Sequence, residues 1–274
     1  MASIIIGSVP VHGHVTPLLA VAARFVARGD DVRFVTGSRF ADKVAATGAE
    51  FVPLPAEADY DERDLTGRFP ERARLKGARA IAFDIEHVFA RPARAQYGAL
   101  VAALAERPAD AVLADPAFVG AAFLLHHRRP ERPAVVQCGV LPLCIESCDT
   151  APFGMGLAPT RVFNRPRNAA LARVNRRVLR RPYALIDDLH RAQHGVDMPD
   201  TLVDWGRRAD ALVQFTVPAF EYPMSDAPKA LHFAGPLSAT GSQAALPNGG
   251  PSSTALARSC TSRRARSPIS TMSS

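Results

Sequence analysis

The sequence predicts an α/β fold with a Rossmann-like, doubly wound, mostly parallel sheet. Short, β-branched apolar runs such as Ile4-Ile5-Ile6 have the composition of strands buried on both faces. These runs alternate with apolar-faced helical stretches across the first 54 residues, and the connections between them are short.

The elements follow in order. After the strand at Ile4-Ile5-Ile6, Thr16 is expected to cap a helix with Pro17 in its first turn. Leu18, Leu19, Val21, Ala22, Phe25 and Val26 then form its apolar face, and Gly29 stops it. Val32-Arg33-Phe34-Val35 is a second strand, 39–47 a short helix ended by Gly48, and 50–54 a third strand. Residues 55–75 are charged and weakly patterned, an excursion from the scaffold. A long helical segment spans 78–106, divided or kinked by Pro92. Ala111-Val112-Leu113-Ala114 is the next strand, followed by Asp115-Pro116 and a helical run over 118–127, with a further strand over 133–137. A loop rich in Gly and Pro covers 138–165, and a helix bent at Pro182 is expected over 168–190. Two short strands at 210–215 and 231–234 bring the sheet to about seven strands, in one domain ending near residue 236.

Composition excludes several classes. With 274 residues, 47% hydrophobic and 22% charged, the chain has ordinary globular composition. No apolar run is long enough to span a membrane and the N-terminus lacks a signal-peptide pattern, so a cytoplasmic protein without integral membrane association is expected. Cys138, Cys144, Cys148 and Cys260 have no paired spacing and read as free thiols, and no metal is expected. The formal charge is +7, of which Arg258, Arg263, Arg264 and Arg266 supply four without an acidic neighbour. A second basic block runs from Arg161 to Arg181. With no aromatic residues interleaved beyond Phe163 and Tyr183, and no reader motif, it reads as a solvated helix face, and no nucleic acid is expected. His126-His127, late in a helix, is accounted for by exposure and attraction to the helix carboxyl end.

The chemistry concentrates at two strand ends. His14 follows the first strand and Asp115 the fourth, and a parallel sheet can bring two such ends to one crevice. A carboxylate beside an imidazole fixes its tautomer and favours its protonated form, which suits it to take a proton from an alcohol. Two readings of each residue stand at this point. His14 is either that base or a loop histidine bonded to backbone, and Asp115 is either its partner or a helix cap preceding Pro116. The loop matches neither the dinucleotide fingerprint nor a Walker motif.

Four segments then coincide with a known pattern. Pro10-Val11-His12-Gly13-His14-Val15-Thr16-Pro17, Val112-Leu113-Ala114-Asp115-Pro116, Phe153-Gly154-Met155-Gly156 and Phe220-Glu221-Tyr222-Pro223, in this order, resemble the amino-terminal half of the bacterial macrolide-type glycosyltransferases. These are relatives of the UDP-glycosyltransferases with two-domain GT-B architecture, and the resemblance covers about residues 3–247. It implies an inverting transfer of a hexose from a nucleotide-diphosphate sugar, a UDP- or dTDP-sugar, to a hydroxyl of a small hydrophobic acceptor. His14 would be the general base and Asp115 its orienting carboxylate. Variable insertions at about 55–96 and 138–165 would wall the acceptor pocket, with His12, Phe83, Phe118, Phe153 and Met155 as its lining.

In that family a second domain holds the donor, and these 274 residues contain no counterpart, so no cofactor is expected on this half. The expected organisation is an acceptor-binding domain over 1–236, the start of a linker over 237–247, and a disordered tail over 248–274. Residues 259–273 admit a codon choice which, read one base earlier, gives VVHVTQGTIANIDNE, similar to the strand and glycine turn that open the family's carboxyl-terminal domain. A frameshift near residues 247–251 is therefore expected, leaving a transferase inactive as given that self-associates through its exposed interdomain face. The alternative is a non-catalytic module binding a small molecule or a partner. A single-domain hydrolase is a weaker reading, because no G-x-S-x-G nucleophile accompanies His14 and Asp115.

Overall fold

The structure is a computed structural model and describes residues 1–237; the expected linker from 238 onward, the tail, its frameshift and Cys260 lie outside the described residues. Seven parallel strands form one sheet in the order β3-β2-β1-β4-β5-β6-β7. They are β1 Ser3–Gly7, β2 Asp31–Thr36, β3 Glu50–Pro53, β4 Ala111–Ala114, β5 Ala134–Gly139, β6 Ala211–Gln214 and β7 Leu231–Phe233. The strand order reverses at β1, which pairs with β2 on one side and β4 on the other. In an open parallel sheet that reversal leaves a crevice beyond the carboxyl ends of the two central strands.

The apolar alternation explains the layering. Ile4 and Ile6 of β1 join Phe34 of β2, Leu18 and Ala22 of α1 (His12–Ala27), and Val44 of α2 (Ala41–Ala45) on one face. Ile5 points to the other face, with Val35, Val112, Val135, Leu100, Phe123 and Trp205.

After β3 the excursion contains a one-turn α3 (Leu65–Arg68) flanked by 3-10 turns over Glu62–Asp64 and Pro70–Arg74, and then α4 (Gly77–Asp84). α4 runs into a π-helical segment, Ile85–Ala90, and after Pro92 the chain resumes as α5 (Ala93–Glu106). Pro92 divides the helix as expected, since it brings no N–H to the ladder. A short α6 (Gly120–Leu124) packs on α5 so closely that a Cβ on Gly120 would sit 2.5 Å from the Tyr97 backbone nitrogen and 2.7 Å from the Ala93 carbonyl oxygen.

Two expected boundaries are corrected. α1 begins at His12 rather than after Thr16, with Val11 in extended conformation as its N-cap and Pro17 inside the helix. No side chain of Val11 caps it. The exposed His12 N–H donates instead to the Glu62 carboxylate, at 2.7 Å, from the excursion. The expected helix over 168–190 is two, α7 (Asn164–Val178) and α8 (Arg180–His194), which break at Leu179 and leave Pro182 in the first turn of α8, where a missing N–H is tolerated. The basic face of α7 finds acidic partners from outside its own block: Arg165 pairs with Asp149 at 2.9 Å and Arg176 with Glu146 at 2.7 Å. No helix among the described residues is long and apolar enough to cross a membrane. Cys138, Cys144 and Cys148 are free thiols.

Candidate active site

The crevice is built from the two strand ends flanking the reversal of order. β1 ends at Gly7, where a Cβ would come within 2.9 Å of the Phe118 ring, so glycine lets the chain after β4 close down on β1. From there Val9 and the first turn of α1 lead to His14, and β4 leads directly into Asp115. His14 Nδ1 lies 2.8 Å from Asp115 Oδ1 across a sequence separation of 101 residues.

Asp115 is fully buried and both of its oxygens are engaged. Oδ1 also accepts the Ala117 N–H at 2.8 Å, and Oδ2 accepts the Val9 N–H at 2.9 Å. The Val9 bond joins the two halves of the crevice, while the Ala117 bond is the local turn that an Asp-Pro pair favours. Asp115 is thus both a local cap and the partner of His14.

With Nδ1 held by the carboxylate, Nε2 of His14 carries the lone pair. It has no hydrogen-bond partner among the described residues, and the residue as a whole is 7% exposed. Burial pushes the imidazole pKa down. The charge of Asp115, the hydrogen bond to it and the charge of Glu62 together outweigh burial, so the pKa is raised above the ordinary 6.5. The Phe89 ring of the π-helical segment stands 6.2 Å from the imidazole. A π-helical insertion beside a functional histidine is a recurrent association.

Two residues that sequence reasoning missed support this pair. Glu62 caps α1, pairs with Arg39 at 2.9 Å and adds its charge to His14. Trp205, fully buried, donates its indole N–H to the Pro116 carbonyl at 2.9 Å and so braces the loop carrying Asp115. Neither lies in a patterned segment near the strand ends.

The residues expected to line a pocket are spread widely. His12 is exposed on the first turn of α1, its ring 3.5 Å from the Thr16 hydroxyl. Phe83 stacks on His87 with centroids 3.9 Å apart and lines a cleft of about 650 Å³ with Arg79, Val178 and Arg180. Phe153 is exposed and Met155 half-buried in the loop after β5. Phe118 is a correction: it has no exposed surface and lies in the core beneath the site, because Gly7 opens space for its ring. A smaller cleft of about 320 Å³ follows the start of α1, between Thr16, Pro17, Leu141 and Phe220.

The comparisons with known proteins agree with this architecture. Residues 4–119 match the family model described as the Glycosyltransferase family 28 N-terminal domain. The chain is 32% identical over 240 residues to 4'-demethylrebeccamycin synthase from Lentzea aerocolonigenes, an alignment covering 86% of this chain and 56% of that protein. To UDP-glycosyltransferase 2 from Phaeomoniella chlamydospora it is 31% identical over 241 residues, covering 85% and 53%. Among solved structures, the glycotransferase of kitacinnamycin superposes with a TM-score of 0.61 at 20% identity, covering 89% of this chain and 54% of that one. CalG4, the calicheamicin glycosyltransferase, gives 0.57 at 24% identity, covering 86% and 53%. At these identities the structural likeness speaks to the fold alone. The chain spans about half the length of the curated relatives it matches.

Proposed function

We propose that this chain, whose residues 4–119 match the Glycosyltransferase family 28 N-terminal domain model, is the acceptor-activating half of an inverting glycosyltransferase, with His14 as general base and Asp115 as its positioning carboxylate. The observation that carries the proposal is the 2.8 Å contact between Nδ1 and Asp115, which leaves Nε2 free at the carboxyl edge of the sheet where its strand order reverses. An acceptor hydroxyl would donate its proton to Nε2 as its oxygen forms a bond to the anomeric carbon of the sugar. The bond from that carbon to the nucleotide diphosphate breaks on the opposite side, and the electron pair leaves with the diphosphate. The imidazolium that results is stabilised by Asp115.

The acceptor in this reading is a small, hydrophobic, hydroxylated molecule. The aromatic cleft at Phe83 and His87 and the apolar cleft at Leu141 and Phe220 are the surfaces that support it. The donor, a UDP- or dTDP-hexose, is assigned on this reading to a partner region corresponding to the part of the matched relatives that lies beyond the aligned half. On this reading the described domain alone binds acceptor without turning it over. Self-association belongs to the same proposal, through exposed apolar side chains such as Val217, Phe220 and Tyr222.

The test is a chimera in which this chain continues into the carboxyl-terminal half of 4'-demethylrebeccamycin synthase, assayed for sugar transfer to a panel of hydroxylated aromatic acceptors. Transfer is expected, with kcat lowered by about a hundredfold or more in His14→Ala and acceptor binding retained. Transfer that proceeds equally well without the imidazole would refute the assignment.

A further inference from the structure

The cleft of about 650 Å³ beside Phe83 has two walls of different origin. α4 and the π-helical segment supply Arg79, Phe83, Glu86 and His87, and the start of α8 supplies Arg180 and Arg181. The Phe83 and His87 rings stack with centroids 3.9 Å apart and planes at 15°, and His87 Nδ1 donates to the Phe83 carbonyl at 3.1 Å, which fixes the imidazole in this pose. Phe69 of the excursion stands edge-on to both rings, at 5.8 and 5.5 Å, and so holds the pair in place.

The three arginines of the cleft are exposed, and among the described residues none of them pairs with a carboxylate or donates a side-chain hydrogen bond. The carboxylates of the same wall serve other arginines: Asp84 pairs with Arg72, and Glu86 with Arg91 at 3.3 Å. Solvation accounts for one such group on a helix. Three of them, brought from two elements to a single cavity with only Glu86 against them, give the cleft a positive field. Its volume is that of a small-molecule site.

We infer that this cleft takes a planar aromatic molecule bearing a carboxylate, its ring against Phe83 and His87 and its carboxylate on Arg79, Arg180 and Arg181. The inference rests on the acceptor reading given above and narrows it: the hydroxylated acceptor is also an anion. A guanidinium presents parallel N–H donors that match the two oxygens of a carboxylate, and such charge-assisted bonds are about twice as strong as neutral ones. Glu86 limits the charge the cleft accepts, since its carboxylate repels a diphosphate more strongly than a single carboxylate. Its Oε1 faces Arg91, while its Oε2 is left to accept a hydrogen bond from a phenol. The π-helical segment that brings His87 to the cleft also brings Phe89 to within 6.2 Å of the His14 imidazole, so one segment borders both the cleft and the base.

The experiment is a calorimetric titration of the full chain with 6-hydroxy-2-naphthoate and, separately, with its methyl ester, near neutral pH and at low ionic strength. The acid is expected to bind at least about tenfold more tightly than the ester, and the difference should shrink as salt is added. Arg79→Gln combined with Arg180→Gln, both at exposed positions, should remove most of that preference while leaving ester binding unchanged, and Arg180→Glu should turn it toward the ester. Arg173→Gln, an exposed position on α7 that does not line the cleft, should alter neither affinity. Absence of saturable binding of the acid, equal affinity for acid and ester, a preference that survives the double substitution or is lost with Arg173→Gln, or tighter binding of uridine diphosphate than of the naphthoate would each overturn the inference. The acceptor reading itself fails on a different result, sugar transfer by the chimera that persists without the His14 imidazole.

Discussion

Replacing Asp115 with asparagine tests how the site is held, because the change keeps size and removes only charge and one acceptor. The carboxylate takes three N–H donors: Ala117 and His14 on Oδ1, Val9 on Oδ2. An asparagine must turn its NH₂ toward one of these groups. Facing Val9 leaves one buried backbone N–H unpaired, whereas facing Oδ1's partners leaves two donors opposed, so the first orientation is preferred. One orphaned buried donor costs about 1–3 kcal/mol, and weakening the two remaining bonds from charged to neutral adds about 1 kcal/mol. Asp115→Asn should therefore lose about 2–4 kcal/mol in urea unfolding.

The same substitution reverses the titration of His14. Burial is the largest influence on this imidazole and lowers its pKa; Asp115 supplies the next two, and both raise it. With the carboxylate gone, only Glu62 opposes burial, so the pKa should fall from above 6.5 to below it. The assay is a pH titration of the His14 Cε1 proton by NMR in both proteins. A variant whose His14 titrates at or above the wild-type value would refute the reasoning, whatever the stability change.

Further expectations follow from the same contacts. Because the folded pKa of His14 is raised, its contribution to stability is complete below about pH 6.5 and is lost as pH rises through the raised value; the stability gap between wild type and His14→Gln, measured in urea from pH 6 to 9, should shrink accordingly. Gly120→Ala drives a Cβ into the Tyr97 and Ala93 backbone and should cost about 1–3 kcal/mol, and an unchanged denaturation midpoint would contradict the close packing of α5 and α6. Glu62→Gln should destabilise by about 0.5–1 kcal/mol through the α1 terminus and lower the His14 pKa slightly, both readable in the experiments above. Brief alkylation of the native protein followed by peptide mass spectrometry should label Cys148 well ahead of Cys138 and Cys144, whose thiols burial pushes up to about 12.

The seven strands, their alternation with helices and the division of the long helix at Pro92 were legible in the sequence, because burial on both faces of a parallel sheet imposes continuous apolar runs at every strand. His14 and Asp115 were legible as candidates for a related reason: polar residues at the ends of such runs have few other places to go. The start of α1 was not, because its cap is Glu62, a residue in an unpatterned excursion that only the folded chain brings to the His12 N–H. Phe118 was misread because a helix-initiating aromatic residue looks the same in sequence whether it faces a crevice or the underside of a strand; the open space at Gly7 decides which.

What the sequence determined by itself is therefore periodic and local: strand, helix and the residues at their junctions. What the tertiary structure decided is pairwise. It set the 2.8 Å contact across 101 residues, the indole bond from Trp205 to Pro116, and the meeting of arginines from α4 and α8 at one cleft. Those contacts depend on strand order and helix packing angles, which no single segment encodes, since each is set by the burial of several segments at once.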